Sequence, residues 1–242
     1  MFQFKQFTIH QDRTAMKVGT DGVLLGAWAP IVPTANRLLD IGTGTGLIAL
    51  MLAQRIDAQR SDCTIEIDAI DIDESSIEQA KENVNNSPFA RYIKTHFTSI
   101  QKYLPSEKYD AIVCNPPYFV ASLKCPDANR TQARHTDSLS FDELLMHSAQ
   151  LLKDEGTLSV ILPTTEGNTL ISLASKYGFV LKELVEVHPT PTSDPKRLLI
   201  HLIKSKDQEI ETKKSSLTIE VARHQYTPEY IALTREFYLK MK

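Results

Sequence analysis

A glycine-rich segment constrains the fold of this chain more than any other feature. Residues 40–46 are Asp-Ile-Gly-Thr-Gly-Thr-Gly, and they follow the apolar pair Leu38–Leu39. This order predicts a strand, a tight turn and then a helix over Gly46–Ala58. Glycine suits the turn because it tolerates a positive φ and has no Cβ to block a ligand. On its own the segment is compatible with an ordinary βα turn, so its meaning depends on the residues around it.

Strand-like and helix-like runs alternate over residues 37–185, which predicts a parallel sheet covered by helices on both faces. The predicted strands are Arg37–Ile41, Thr64–Asp71, Tyr92–Phe97, Tyr109–Cys114, Thr157–Leu162, Val180–Val187 and Leu198–Lys204. The predicted helices are Gly46–Ala58, Ser75–Asn85, Phe141–Leu152 and Asn168–Tyr177. Only the turn-rich Pro189–Pro195 separates the last two strands, which therefore form an antiparallel hairpin in this prediction.

The C-terminal part of the chain is predicted to extend this sheet. A polar stretch over Lys204–Ser216 leads to a predicted edge strand at Leu217–Ala222, and Pro228–Tyr238 predicts a terminal helix. The fold class is therefore α/β, a seven-stranded mostly parallel sheet with one antiparallel strand, plus a further strand and helix. With 242 residues the chain fits one domain. We expect a cap segment at 1–35, a core at 36–204 and the C-terminal strand and helix at 205–242.

Composition argues against several classes of protein. A hydrophobic content of 42% with 24% charged residues is typical of a folded globule. No apolar run approaches the roughly 20 residues that cross a bilayer, and no signal peptide is visible. The three cysteines and seven histidines lack metal-ligand spacing, so we expect no metal and a reducing, cytoplasmic location. A net charge of −3 does not itself indicate nucleic-acid binding, which depends on the local field.

A carboxylate is predicted beside the glycine-rich turn. The second strand ends in Ala-Ile-Asp-Ile-Asp at residues 69–73, so Asp71 follows it at the same sheet edge. A carboxylate in this position can accept hydrogen bonds from both hydroxyls of a ribose, and Ile72 would offer an apolar face to adenine. Capping of the next helix is another use for Asp71, but Asp73 and Ser75 can serve there. The segment therefore predicts a nucleoside ligand.

The sequence Asn-Pro-Pro-Tyr at residues 115–118 follows the predicted strand Tyr109–Cys114 at the ligand-binding edge. An exocyclic amine on an aromatic ring is a poor nucleophile because its lone pair is delocalised. The Asn115 side-chain carbonyl and the Pro116 backbone carbonyl can each accept one N–H of such an amine. The prolines limit the freedom of these acceptors, and Tyr118 can stack on the ring. The two motifs together predict methylation of a planar amine, with neither a metal nor a strong general base.

These residues resemble the cofactor-binding core of the class I, Rossmann-like methyltransferases, which use S-adenosylmethionine (SAM). The resemblance covers about residues 36–204 and implies roles for several positions. Asp40 orients the methionine end of SAM, Asp71 holds the ribose, and Ile72 lies beside the adenine. The turn that packs against the cofactor contains Gly42, Gly44 and Gly46. Ser99 stands where the family usually has an acid beside the adenine amino group, which weakens that contact.

Two flanking segments narrow the resemblance. Lys17–Trp28 and Leu233–Leu239 resemble segments of the bacterial tRNA(Val) adenine-N6 methyltransferases, which modify the adenine at position 37 beside the anticodon. With these segments the resemblance spans nearly the whole chain and implies a tRNA substrate. It implies that Thr20 and Asp21 line the SAM pocket and that Asn115 also contacts SAM. The remaining implied substrate contacts are Pro117, Tyr118, Lys124, Arg130 and Arg134.

Three alternatives stay open. The glutamine-N5 methyltransferases of peptide release factors share Asn-Pro-Pro-Tyr but carry a helical recognition domain. The roughly 36 residues before the core are too few for such a domain. A methyltransferase acting on guanine N2 of ribosomal RNA is the second alternative, and a SAM-binding module without activity is the third. The intact Asn115–Tyr118 motif argues against the third. The oligomeric state stays open, and a monomer is compatible with the sequence.

Overall fold

The computed structural model describes residues 1–14, 16–59, 65–116, 139–206 and 210–241. The strands in this part of the chain are β1 (Phe2–Gln3), β2 (Thr8–Ile9), β3 (Arg37–Ile41), β4 (Glu66–Asp71), β5 (Ile93–Phe97), β6 (Tyr109–Cys114), β7 (Leu152–Pro163), β8 (Phe179–His188), β9 (Arg197–Lys204), β10 (Lys213–Thr218), β11 (Glu220–Ala222) and β12 (Gln225–Tyr226). The helices are α1 (Thr20–Trp28), α2 (Leu47–Gln59), α3 (Glu74–Asn85), α4 (Phe141–Leu151), α5 (Thr164–Ala174) and α6 (Pro228–Thr234). Among these helices, none is long and apolar enough to cross a membrane.

An eight-stranded sheet has the order β10-β8-β9-β7-β6-β3-β4-β5. Strand β9 is antiparallel to both of its neighbours, and the other neighbouring strands are parallel. The mostly parallel α/β sheet with one antiparallel strand is thus confirmed, as is the β8–β9 hairpin. Strands β3 to β9 form the predicted seven, and β10 adds an eighth at one edge.

The C-terminal part of the sheet differs from the prediction. A single strand over Leu217–Ala222 is wrong, because the chain there is divided between two sheets. β10 begins at Lys213 and pairs in parallel with β8, whereas β11 pairs with β12 in a separate antiparallel hairpin. The first four residues of β10 are exposed, and polar residues are common on such sheet edges. Because Lys213–Ser216 are polar, the sequence did not indicate that they form the first part of β10.

The terminal helix also differs from the prediction, because α6 ends at Thr234 and not at Tyr238. The residues after it pair with the N-terminus of the chain. The N–H of Lys5 donates to the carbonyl of Phe237 at 2.8 Å, and Phe4 forms a β-bridge with Tyr238. Backbone pairing with a distant segment therefore replaces the last helical turn.

Apolar side chains alternate between the two faces of the sheet, as expected for strands. On one face, Leu38 packs in a cluster with Leu50 and Met51 of α2 and with Phe4 and Phe237 from the two ends of the chain. On the other face, the next residue along β3, Leu39, belongs to a cluster built from α4 and α5. Both faces of the central strands are covered, which leaves the strand ends as the places where polar residues can meet a ligand.

Candidate active site

A cleft of about 940 Å³ opens at the carboxyl ends of β3, β4, β5 and β6. Open α/β sheets bind ligands at this edge, outside the carboxyl ends of their strands. The residues on the cleft wall include Gly42, Asp71, Ile72, Phe97, Ser99 and Pro116. Each of them lies at, or within two residues of, the end of one of these four strands.

The glycine-rich turn after β3 has backbone atoms that no side chain covers at Gly42 and Gly44. Gly42, Gly44 and Gly46 have φ values of 69°, 55° and 81°, which L side chains rarely adopt. A Cβ added to Gly42 or Gly44 would meet no atom within 4 Å. The N–H groups of Gly42 and Thr43 both donate to the carbonyl of Ile70, at 2.9 and 3.0 Å. The turn is therefore fixed to β4 on one side and open on the other, where a ligand can lie against it.

Asp71, the last residue of β4, links this strand to the glycine-rich turn. Its Oδ2 accepts a hydrogen bond from the N–H of Gly44 at 2.8 Å, and its Oδ1 accepts from the N–H of Asp73 at 3.0 Å. Asp73 caps α3, since its side chain accepts from the N–H of Ser76 at 3.2 Å. Helix capping thus does not require Asp71, whose carboxylate lies on the cleft wall.

Asp40 lies beneath the turn and is fully buried. Its Oδ2 accepts from the hydroxyl of Thr43 at 2.7 Å and from the N–H of Ala49 at 3.2 Å. Its Oδ1 is buried and has no hydrogen-bond partner among the described residues. Burial raises the pKa of Asp40 to about 7; the two hydrogen bonds oppose this shift, and the charge of Asp71 adds to it. A buried acceptor without a partner favours a ligand that brings a donor or a positive charge.

Two apolar side chains on the cleft wall are exposed. Ile72 is 57% exposed and Phe97 is 58% exposed, although large apolar groups are usually buried. Ser99 lines the same cleft a few residues further along the chain. This combination suits a flat heteroaromatic ring. Phe97 was not among the predicted site residues, but as the last residue of β5 it could have been identified from its position at the ligand-binding edge.

The N-terminus of α1 lies close to Asn115. A Cβ added to Gly22 would come within 3.1 Å of Leu47 Cδ2 and 4.0 Å of Asn115 Nδ2. The distance to Leu47 is shorter than most real Cβ contacts, so glycine at this position lets α1 pack closely against α2, while Asn115 lies at an ordinary van der Waals distance. On the preceding residue, Asp21 Oδ2 accepts a hydrogen bond from Arg197 Nε at 2.8 Å. This ion pair joins α1 to the start of β9, and it links residues 176 positions apart in the sequence.

A family model described as a methyltransferase small domain matches residues 22–180. A tRNA1(Val) (adenine(37)-N6)-methyltransferase from Parabacteroides distasonis is 50% identical over 99% of this chain and 98% of its own length. A protein of the same description from Bacteroides thetaiotaomicron is 50% identical over 100% of this chain and 98% of its own length. The chain belongs to this family of methyltransferases.

A solved structure supports the fold assignment. The crystal structure of a predicted O-methyltransferase from Agrobacterium tumefaciens superposes with a TM-score of 0.67 at 19% identity. The match covers 90% of this chain and 96% of that chain. At this identity the likeness concerns the fold alone, and it agrees with a class I methyltransferase sheet.

The cofactor of this family is SAM, and the described residues fit it. The turn at Gly42 and Gly44 leaves open backbone, Asp71 brings a carboxylate to the cleft, and Asp40 keeps an acceptor without a partner. The exposed pair Ile72 and Phe97 supplies apolar surface. Among the described residues, no three His, Cys, Asp or Glu side chains come together as metal ligands.

The predicted site residues fall into four groups. Those on the cleft wall are Gly42, Asp71, Ile72, Ser99 and Pro116. Those next to the cleft are Asp40, Gly44 and Gly46 in and below the turn and Asn115 after β6. Thr20 and Asp21 lie in the first turn of α1 and are not on the cleft wall; Asp21 is paired with Arg197. Those outside the described residues are Pro117, Tyr118, Lys124, Arg130 and Arg134. The structure therefore brings both motifs to one edge of the sheet.

Proposed function

We propose that this protein transfers a methyl group from SAM to the exocyclic N6 amine of adenine 37 in tRNA1(Val). The observation that carries the proposal is the position of Asn115 and Pro116 at the end of β6, where Pro116 shares a cleft with Asp71. The names of two relatives that are 50% identical to nearly the whole chain, both tRNA1(Val) (adenine(37)-N6)-methyltransferases, support the choice of substrate. When bound, SAM would supply a methyl group on a positively charged sulfur; the C–S bond would break to leave neutral S-adenosylhomocysteine, and the methylated amine would lose one proton to solvent.

The cofactor residues have distinct roles in this proposal. Each oxygen of the Asp71 carboxylate already accepts one backbone N–H. Each can accept one more hydrogen bond, and in this proposal these come from the two hydroxyls of the ribose. Ile72 and Phe97 cover the adenine of SAM, and Ser99 contacts its edge. Asp40 orients the methionine end from beneath the turn. The wall of the cleft thus selects a nucleoside, and the buried carboxylate selects its charged end.

The acceptor residues hold the target amine. The Oδ1 atom of Asn115 and the carbonyl oxygen of Pro116 each accept one N–H of the adenine amino group, which aims its lone pair toward the methyl group. Positioning of this kind lowers the barrier without a general base. We propose that Tyr118 stacks on the ring, an interaction that contributes about 1–3 kcal/mol per base, and that Pro117 is a further substrate contact.

An adenine in an anticodon loop suits this pocket, since unstacking it costs less than flipping a base from a duplex. We propose that Lys124, Arg130 and Arg134 contact the RNA phosphates, and that the protein works in the cytoplasm on tRNA. We also propose that residues 1–242 form a single domain. Phe4 and Phe237, from the two ends of the chain, share one apolar cluster with Leu50 of the core, which supports this view.

The test is methylation of a transcribed tRNA1(Val), followed by mass spectrometry of its nucleosides. We expect N6-methyladenosine with the parent transcript and none with a transcript carrying guanosine at position 37. Formation of N2-methylguanosine, or methylation of a glutamine in a release factor instead of RNA, would move the assignment to one of the alternative families.

A further inference from the structure

Asn83 is a buried polar residue that the proposed reaction does not use. It lies on α3 with 0% of its surface exposed. Its Nδ2 donates to the carbonyl of Thr45 in the glycine-rich turn at 2.9 Å. The same nitrogen donates to the carbonyl of His10 at 2.8 Å, and Oδ1 accepts from the N–H of His10 at 2.8 Å. One side chain therefore joins the cofactor turn to His10, a residue 73 positions before Asn83 in the sequence.

The segment that Asn83 holds leads to the reaction site. The described residues 10–14 and 16–19 lie between β2 and α1, and we call them the strap. Within the strap, Gln11 Oε1 accepts a hydrogen bond from the N–H of Val18 at 2.8 Å, which draws its two ends together. Gly19 then caps the N-terminus of α1. Three residues later, Gly22 lies close to Asn115, whose Nδ2 would be 4.0 Å from a Cβ added to the glycine.

The chemistry of these contacts requires an amide. Both donors of Nδ2 face carbonyl oxygens, and the acceptor faces an N–H group. A carboxylate of the same shape would direct an oxygen at two carbonyl oxygens, whereas an alanine would leave the buried carbonyl of Thr45 and the half-buried carbonyl and N–H of His10 without this partner. Buried polar groups that lose their partners are costly. One buried side chain therefore binds both the turn and the strap, and the exposed ion pair between Arg13 and Glu82 is a second contact of the strap with α3.

We propose that Asn83 is a positioning residue that holds the glycine-rich turn and the strap in one arrangement, so that SAM binding at the turn also orders the strap. The inference rests on the proposed function only through its cofactor. Asn83 does not contact the reacting atoms in this proposal. It acts through Thr45 on the cofactor side and through His10 on the side of α1.

Two measurements test this inference. The first is calorimetric titration of SAM into the parent protein, Asn83→Asp and Asn83→Ala. Val84→Ala is the matched control, because Val84 is a buried neighbour on the same helix that packs in the apolar core. Both Asn83 variants are expected to weaken SAM affinity by about tenfold or more. Val84→Ala is expected to lower the Tm while leaving SAM affinity within about twofold.

The second measurement is trypsin cleavage in the strap, where Arg13 and Lys17 are exposed. SAM is expected to slow cleavage at both sites in the parent and in Val84→Ala. At SAM concentrations that saturate Asn83→Ala, this protection is expected to be lost. The parent experiment needs no variant, so it stands even if neither Asn83 variant folds.

The outcomes separate this inference from the proposed function. A parent protein that does not bind SAM would contradict both. Parent binding with unchanged SAM affinity in the Asn83 variants would overturn the inference alone. Unchanged cleavage of the parent in the presence of saturating SAM would also overturn it.

Discussion

The N–H of Gly44 donates to Oδ2 of Asp71 at 2.8 Å. One carboxylate thus reaches the tip of the glycine-rich turn from the end of the neighbouring strand. Its other oxygen accepts from the N–H of Asp73, just before α3. Asp71 is therefore held in place before any ligand arrives, and the conformation of the turn depends in part on the residue that is proposed to hold the ribose.

Replacement of Asp71 by alanine is expected to weaken SAM binding about tenfold or more, because hydrogen bonds to charged groups contribute about 1.5–3 kcal/mol each. The fold should persist, since Asp73 remains to cap α3. Calorimetric titration measures the affinity, and circular dichroism checks the helices. Asp71→Asn retains one acceptor oxygen, so its SAM affinity should lie between those of the parent and of Asp71→Ala. Equal SAM affinity in the parent and the alanine variant would remove Asp71 from the site.

Replacement of Asn115 by alanine is expected to lower the rate of methyl transfer by a factor of about 100 or more, as for loss of a positioned hydrogen-bonding group in other enzymes. SAM affinity should stay within a few-fold, because the side chain is proposed to orient the acceptor amine. Single-turnover transfer to tRNA and SAM titration separate the two effects. A large loss of SAM affinity would make Asn115 mainly a cofactor ligand, and parental turnover would remove its proposed role.

Ionisation of Asp40 is expected to couple SAM binding to pH. Burial raises the pKa of this carboxyl from 3.8 to about 7, so below pH 7 it is largely protonated in the free protein. A positive charge on the ligand favours the ionised form. SAM affinity should therefore rise as the pH increases through about 7, with proton release on binding. Calorimetry in buffers of different ionisation enthalpy measures this release. In Asp40→Asn, the part of the proton release that comes from Asp40 should be absent.

The same shift has a consequence for the free protein. The folded pKa of Asp40 lies above the unfolded value, so its contribution to stability is complete below pH 3.8 and is lost as the pH rises through 7. Bound SAM should offset this loss. A SAM affinity that does not change between pH 6 and 8 in the parent would contradict the proposed role of Asp40.

His201 is expected to give the opposite pH dependence of stability. It is buried against Trp28, and its Nδ1 lies 2.8 Å from the hydroxyl of Ser159. Burial, with a smaller effect from the charge of Lys182, lowers its pKa from 6.5 to about 4. Because the unfolded chain binds the proton more readily, stability falls as the pH drops from 6.5 to 4, by up to about 3 kcal/mol.

Urea unfolding of the parent and of His201→Gln at pH 7 and pH 5 measures the effect of His201. Asp40 changes stability in the other direction over this range, but it is present in both proteins and cancels in the difference. The parent should lose more stability than the variant between the two pH values. Equal losses would show that His201 is not kept neutral by burial.

Much of this fold and of its site follows from local patterns in the sequence. Asp71 and Asn115 were predicted to share one edge because each directly follows an apolar run, and the carboxyl ends of parallel strands meet. The contact of Asn83 with Thr45 and the ion pair between Asp21 and Arg197 could not be predicted. They join residues 38 and 176 positions apart, and no local periodicity encodes such pairs.

Strand β10 shows the same limit at the level of secondary structure. Its residues Lys213–Ser216 are polar and exposed, so the apolar alternation that marks a half-buried strand is missing. The strand forms because β8 offers an unpaired edge, which is a property of the folded sheet. Phe97 is a different case from β10. The sequence already placed it at the end of a predicted strand, but it did not indicate that the side chain is exposed in the cleft.

The most direct test of the account is the position of the methyl group in tRNA1(Val) after incubation with the parent protein and SAM. Nuclease digestion followed by mass spectrometry of the oligonucleotides locates the modified base. The account predicts N6-methyladenosine at position 37 with the parent, and a loss of about 100-fold or more in its rate of formation with Asn115→Ala. A methyl group on another base, or equal rates in both proteins, would contradict it.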